Sequence, residues 1–363
     1  MKRSIAVLLC ILSILGFSIE ALAGEDEQQA FLDLLDSVTL AETDYRVRLP
    51  ERAPDAHEAA EVRIENHDTT IDIDAAIHDF GKKTAAVYRA TPPDIDAERL
   101  ISFFWPEGDP AAILASKEIL SDGAEEFAHA GALLRLSRNT GEISFLADAE
   151  RAGEVDFRRH KHLITEPGEI FDIPSVFADP DAVRGYARDF LSLFGIEEEP
   201  MLLVGYGLRE ECADRMYRAE TFDFAIVRDG LPFCNRSYFE TPDGGRAIPA
   251  QNLVVSFDER GLADLTATVF RLEPLGGAEG ILPYRAMFDD LKEGEGFLWW
   301  GGPIPIASIT LEYMLVPADG EASQYICRPV WRFHESARPW GIAWADDRNV
   351  YAHDALTGAF ATS

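Results

Sequence analysis

Two hydrophobic rhythms run along this chain. Ile71, Ile73 and Ala75 alternate with Asp72 and Asp74, the period-two signature of a half-buried strand. Residues 45–49, 62–64, 84–90 and 143–146 also read as extended. A helical period governs 28–40, where Phe31, Leu32, Leu34, Leu35 and Val38 recur on one face. It returns after Asp96, a natural cap, with Leu100, Ile101, Phe103 and Phe104. Residues 110–120 and 124–137 read as helical too. This first stretch, 24–165, is therefore expected to form an N-terminal α+β domain.

A different organisation begins near Pro174. Asp179-Pro180 opens a strong helix, because Pro is favoured in the first turn. Val183, Tyr186, Ala187, Phe190, Leu191 and Phe194 follow at helical spacing, and Gly195 ends it. Extended runs are predicted at 201–208, 217–228, 253–257 and 265–272, with turns at Asp229-Gly230 and Glu259-Arg260-Gly261. The order then repeats. Ile281-Leu282-Pro283-Tyr284 opens a second helix through Leu291, and strands are predicted at 306–316, 325–334 and 350–352. The expectation is two tandem helix-plus-antiparallel-sheet units, 175–275 and 276–363, following the N-terminal domain.

The N-terminus changes the picture of where the chain works. Lys2-Arg3 precede an apolar run from Ile5 to Phe17, which ends in Ala21-Leu22-Ala23 before Gly24. This is the layout of a secretory signal peptide over residues 1–23. Cleavage near Ala23 gives an exported protein, secreted or associated with the cell envelope, and removes Cys10. A retained segment would instead serve as an anchor. Leu9 is too bulky for the residue preceding a lipid-bearing cysteine. No later stretch reaches the ~18 to 20 apolar residues needed to span a bilayer.

Charge narrows the partners. Among 363 residues, 64 are acidic and 33 basic, a formal charge of -31. Such a field repels nucleic acid and anionic membranes, and it suits a solvated surface, cation association or a basic partner. Cys212, Cys234 and Cys327 remain after export, an odd number in a compartment that permits disulfides. Cys212 and Cys234 flank a predicted strand and could pair, or all three could be free. Their spacing matches no zinc site.

Few constellations carry chemistry. Arg158-Arg159-His160-Lys161-His162 is a basic cluster in an acidic chain. His160 and His162 would share one face of a strand, as metal ligands do, but no third ligand accompanies them, so a contact for an acidic partner is the plainer reading. His67-Asp68, Asp72, Asp74 and His78-Asp79 lack calcium-loop spacing and read as a polar strand face. Trp299 and Trp300, beside Gly301-Gly302, could form a stacking platform for sugar or peptide, or plug the edge of a core. No carboxylate pair stands out, and no nucleophile elbow, His-Glu-x-x-His helix or phosphate-binding glycine loop occurs. No cofactor, metal site or catalytic residue is assigned.

The C-terminal unit resembles the PepSY-like domain family and is similar to the extracytoplasmic regulators YycH and YycI. The resemblance rests on Leu315-Val316-Pro317, on Arg328-Pro329-Val330-Trp331-Arg332-Phe333, and on 350–358, which runs Val-Tyr-Ala-His-Asp-Ala-Leu-Thr-Gly. It implies that Trp331 and Phe333 pack on the helix and that Asp354 and Gly358 close a turn. The whole chain is also similar to uncharacterised exported proteins of Gram-positive gut bacteria, through Ile73-Asp74-Ala75 and Val87-Tyr88-Arg89. Many of those are lipoproteins, which this chain's cysteine pattern does not match. The resemblance implies a non-catalytic binder or regulator of a protein or peptide outside the cytoplasmic membrane, with a sensor-kinase ectodomain or a peptidase as partner. The alternative is a secreted hydrolase with a carboxylate-based site in the N-terminal domain.

Overall fold

A computed structural model describes residues 46–49, 58–65, 70–149, 157–162, 171–174, 178–196, 201–212, 216–233, 237–239, 246–248, 251–293, 303–318, 324–334, 350–359 and 361. The leader 1–23, the predicted helix at 28–40, Cys234, Trp299 and Trp300 lie outside these residues.

The chain begins with β1 (Arg46–Leu49), β2 (Glu58–Glu65), β3 (Thr70–His78), β4 (Thr84–Ala85) and β5 (Tyr88–Thr91). Helices α1 (Ala97–Phe104) and α2 (Pro110–Leu114) lead into β6 (Glu118–Ile119), β7 (Glu125–His129), β8 (Ala132–Ser137) and β9 (Glu142–Leu146). After β10 (Phe157–His162) and β11 (Phe171–Pro174) comes α3 (Pro180–Ser192). Then follow β12 (Met201–Cys212), β13 (Met216–Arg228), β14 (Leu231–Pro232), β15 (Ser237–Phe239), β16 (Arg246–Ile248), β17 (Asn252–Asp258) and β18 (Gly261–Thr268). The last third holds β19 (Arg271–Pro274), β20 (Glu279–Gly280), a 3-10 turn (Tyr284–Met287), α4 (Phe288–Glu293), β21 (Ile304–Pro317), β22 (Tyr325–His334) and β23 (Val350–Asp354).

Two large sheets dominate the described residues. The first runs β10-β12-β13-β17-β18-β9-β8-β7-β6, with β14 added to β13. The second runs β19-β5-β22-β21-β3-β2, with β23 added to β22. This corrects the expected architecture of an α+β domain followed by two helix-plus-sheet units. Strands from the first 150 residues are built into both later sheets: β9 pairs with β18, β5 pairs with β22, and β3 lies parallel to β21. Backbone pairing needs only a matching edge and register, so sequence order along the chain does not limit which strands join.

Residues 124–137 are also corrected, from helix to the hairpin β7–β8. Phe127, Leu134 and Leu136 face inward and are fully buried. The two-residue turn between the strands places Ala130 at φ 51° and Gly131 at φ 83°, the left-handed pair a tight hairpin requires. Leu and Ala at 132–134 favour helix by propensity, but the turn and the period-two burial decide otherwise. The predicted second helix splits into the 3-10 turn and the six-residue α4.

The first sheet's core is set by register. Phe222, Val255, Leu265, Phe145, Leu134 and Phe127 form one continuous cross-strand row. Helices α1 and α3 cover that face. Phe104 stacks on Phe145 at 4.3 Å between ring centroids, and Phe103 meets Tyr186 and Phe190 of α3. Asp96 caps α1 by accepting from the amides of Glu98 and Arg99, and Asp179 caps α3 through Asp181. The two sheets meet where the tip of the β13–β14 hairpin reaches β5 and β21. Phe233 bridges to Tyr313, Tyr88 donates to Asp229, and Arg228 lies over the Tyr88 ring.

Candidate functional site

The second sheet has two unlike faces. One presents Ile77, Ile309, Leu311, Trp331 and Phe333, all buried. Trp331 packs edge-on against Tyr284 and donates its indole N–H to the Leu282 carbonyl at 2.8 Å. The implied packing of this strand on the preceding helical segment is thus seen at Trp331. Phe333 instead meets His353. The opposite face carries polar residues at every second position: Ser308, Thr310 and Glu312 on β21, and Arg332 and His334 on β22. His78 of β3 sits level with Thr310. All six are buried; Glu312 is 1%, Arg332 4% and His334 0% exposed.

Within this row the charges are organised around Glu312. Arg332 Nη1 donates to Glu312 Oε2 at 2.9 Å, and the Thr310 hydroxyl donates to Oε1. With that proton committed, Thr310 Oγ1 accepts from His334 Nε2 at 2.8 Å, which assigns the His334 tautomer. Nε2 is also 3.5 Å from Glu312 Oε1. Burial alone would push the Glu312 carboxyl up. Arg332 first, then His334 and Thr310, overcome that and hold it at about 2. The carboxylate is therefore ionised, and both its oxygens have hydrogen-bond donors. A His, a hydroxyl and a carboxylate in line are the ingredients of acid–base chemistry. Here the hydroxyl hydrogen points to the carboxylate rather than to the imidazole, so the histidine does not activate it as a nucleophile. The arrangement is that of a buried ion pair with its lone pairs filled.

Sequence reading passed over this cluster. Its signal was present: Ser308-x-Thr310-x-Glu312 and Arg332-x-His334 interrupt two otherwise apolar strands at strict period two. A second polar row, on the first sheet's other face, links Thr221, Ser256 and Asp264 at 3.0 and 2.9 Å. Ser256 thus donates its hydroxyl proton to a carboxylate in that row, Asp264, and not to an imidazole.

Of the candidate binding residues read from sequence, His160 and His162 fall on described backbone and Trp299 and Trp300 do not. His160 and His162 lie on β10, an end strand of the first sheet, with Arg209 and Gly207 opposite them in the register. Neither cross-strand neighbour is a metal ligand of the usual kind. Among the described residues no group of three or more His, Cys, Asp or Glu is placed to hold a metal. Cys327 is buried on β22. No described helix is long and apolar enough to cross a membrane.

Two features face solvent. An open groove of about 420 Å³ lies between the first turn of α1 and the end of α3, lined by Asp96, Glu98, Arg99, Ser102, Phe103 and Leu193. Its Asp96 carboxylate is engaged in capping, and Arg99 reaches the Leu193 carbonyl. The second feature is β2. It is eight residues long, ends the second sheet, and has β3 as its one neighbour among the described strands.

No protein-family model matches the chain, and no curated protein matches it. Among solved structures, an uncharacterized protein from Eubacterium rectale ATCC 33656 is similar, with a TM-score of 0.40 and 16% sequence identity. The match covers 82% of this chain and 92% of that one. A likeness of that degree transfers neither a fold nor an activity.

Proposed function

We propose that this chain is an exported, non-catalytic protein that binds or regulates a protein or peptide partner outside the cytoplasmic membrane. The observation that carries the reading is the edge of β2, which has β3 as its one strand partner among the described residues. A strand of this length offers an uninterrupted row of backbone donors and acceptors to an extended segment, the mode of strand addition. Two further points support it. The Glu312 carboxylate has a donor on each oxygen, from Arg332 and from Thr310, as in a structural ion pair. Of the two carboxylates lining the groove beside α1, Asp96 is committed to capping the helix. A sensor-kinase ectodomain or an envelope peptidase would supply a partner in the right compartment.

The test is capture of partners from the protein's own cell envelope by the chain lacking residues 1–23. Recovery of one stoichiometric protein, reproduced with purified components, is the expected result. No partner, together with turnover of a glycan or peptide library, would overturn the proposal.

A further inference from the structure

The β2 edge, with β3 as its one partner among the described strands, has a chemical character as well. Ala60 and Ile64 point into the core and are buried, while Ala59, Glu61, Arg63 and Glu65 are exposed on the other face. The register continues that outer face onto β3, setting Glu61 opposite Asp74, Arg63 opposite Asp72 and Glu65 opposite Thr70. Arg63 is already engaged, 3.1 Å from Glu65 and 3.7 Å from Asp72. Glu61 and Asp74 are left as like charges directly across the pair, and neither forms an ion pair among the described residues. Such a pair opposes strand pairing rather than supporting it. Four carboxylates against one guanidinium leave this face strongly negative.

From this we infer that β2 accepts an extended, basic segment of a partner protein as an added strand. The inference rests on the binding function proposed above and names its site and partner chemistry. In the added strand, same-face residues would lie beside Glu61, Arg63 and Glu65; Arg63 is already held by Glu65 and Asp72, which leaves the two outer positions facing Glu61 and Glu65. Lys or Arg there relieves the Glu61–Asp74 repulsion. The intervening residues would continue the Ala60–Val62–Ile64 row and are expected to be small or β-branched. An acidic segment would set like charges against this face and is excluded by the same register. A free edge protected by charge alone would be better served by lysine on β2, and β2 has none.

The experiment uses the purified protein and two labelled peptides of about eight residues, one alternating Lys with Val and Thr, the other alternating Glu with the same residues. Binding is followed by anisotropy, and amide hydrogen exchange is followed residue by residue. The lysine peptide should bind and slow exchange across Glu58–Glu65, and the glutamate peptide should not. Glu61→Lys with Glu65→Lys should weaken the lysine peptide about fivefold to tenfold at low salt, as expected for losing two exposed pairs. Glu107→Lys with Glu118→Lys makes the same change in net charge elsewhere on the surface and should weaken it less than twofold. Equal binding of both peptides, slowed exchange elsewhere but not in β2, or equal losses in the two double variants would each overturn the assignment. If envelope capture still yields a partner whose binding ignores Glu61 and Glu65, the binding function stands and the β2 assignment falls. If capture yields none, the function itself falls.

Discussion

Glu312→Gln gives a direct measure of the buried charge row. The substitution keeps shape and an acceptor for Thr310, but it leaves the Arg332 guanidinium, 4% exposed, without its counter-charge. Removing one partner of a buried pair costs about 3–5 kcal/mol. The structure gives a second estimate. The carboxyl titrates at about 2 in the fold against an ordinary 4.5. At about 1.4 kcal/mol per pH unit, that gap amounts to about 3 kcal/mol. Because the folded value is the lower one, this stability is fully present above pH 4.5 and is lost as pH falls toward about 2. Denaturant midpoints read by near-ultraviolet circular dichroism, which reports Trp331 packing, should therefore drop for Glu312→Gln at pH 7. The variant's midpoint should also fall less steeply than wild type's as the pH is taken below 4.5. Glu312→Leu combined with Arg332→Met removes both charges and should recover about 2 kcal/mol or more over the single variant. A single variant within about 1 kcal/mol of wild type, or a double variant no better than the single, would refute the claim that an ionised pair holds this face together.

Other expectations follow from the backbone and from His353. Gly141 is left-handed at φ 68°, and a Cβ there would collide with the Val269 carbonyl oxygen, so Gly141→Ala should cost about 2 kcal/mol or more by thermal unfolding. Ala130→Gly should raise stability by about 0.5–1 kcal/mol, because Ala130 holds a left-handed φ of 51° that glycine adopts freely; a lowered melting temperature would contradict the hairpin reading. His353 is buried, and desolvation lowers its pKa below 6.5 despite the Gly358 carbonyl and Asp290 nearby. The fold resists protonating it, so stability should fall as pH drops below 6.5, and urea midpoints of His353→Gln should show less of that fall between pH 7 and 5.

The chain's local content was legible because local physics writes it. Asp96 and Asp179-Pro180 start helices where their caps and fixed φ require, and the alternation at 71–75 and 325–334 yields strands. Asp354 closes a turn through the amides of Leu356 and Thr357, with Gly358 at φ 84°. Signals that compete locally were misread: at 124–137, helix-favouring Ala and Leu masked a hairpin that depends on two left-handed residues. The polar row at Ser308, Thr310 and Glu312 was visible as a pattern, but nothing on β21 alone says that Arg332 and His334 stand beside it.

Which strands join was decided in three dimensions. Backbone hydrogen bonds carry no residue identity, so β21 could meet β3 in parallel and β5 could pair with β22, more than 200 positions later in the chain. Sequence set each strand's inner and outer face. The register between strands turned those faces into a buried ion pair at Glu312 and Arg332, and into exposed like charges facing each other at Glu61 and Asp74.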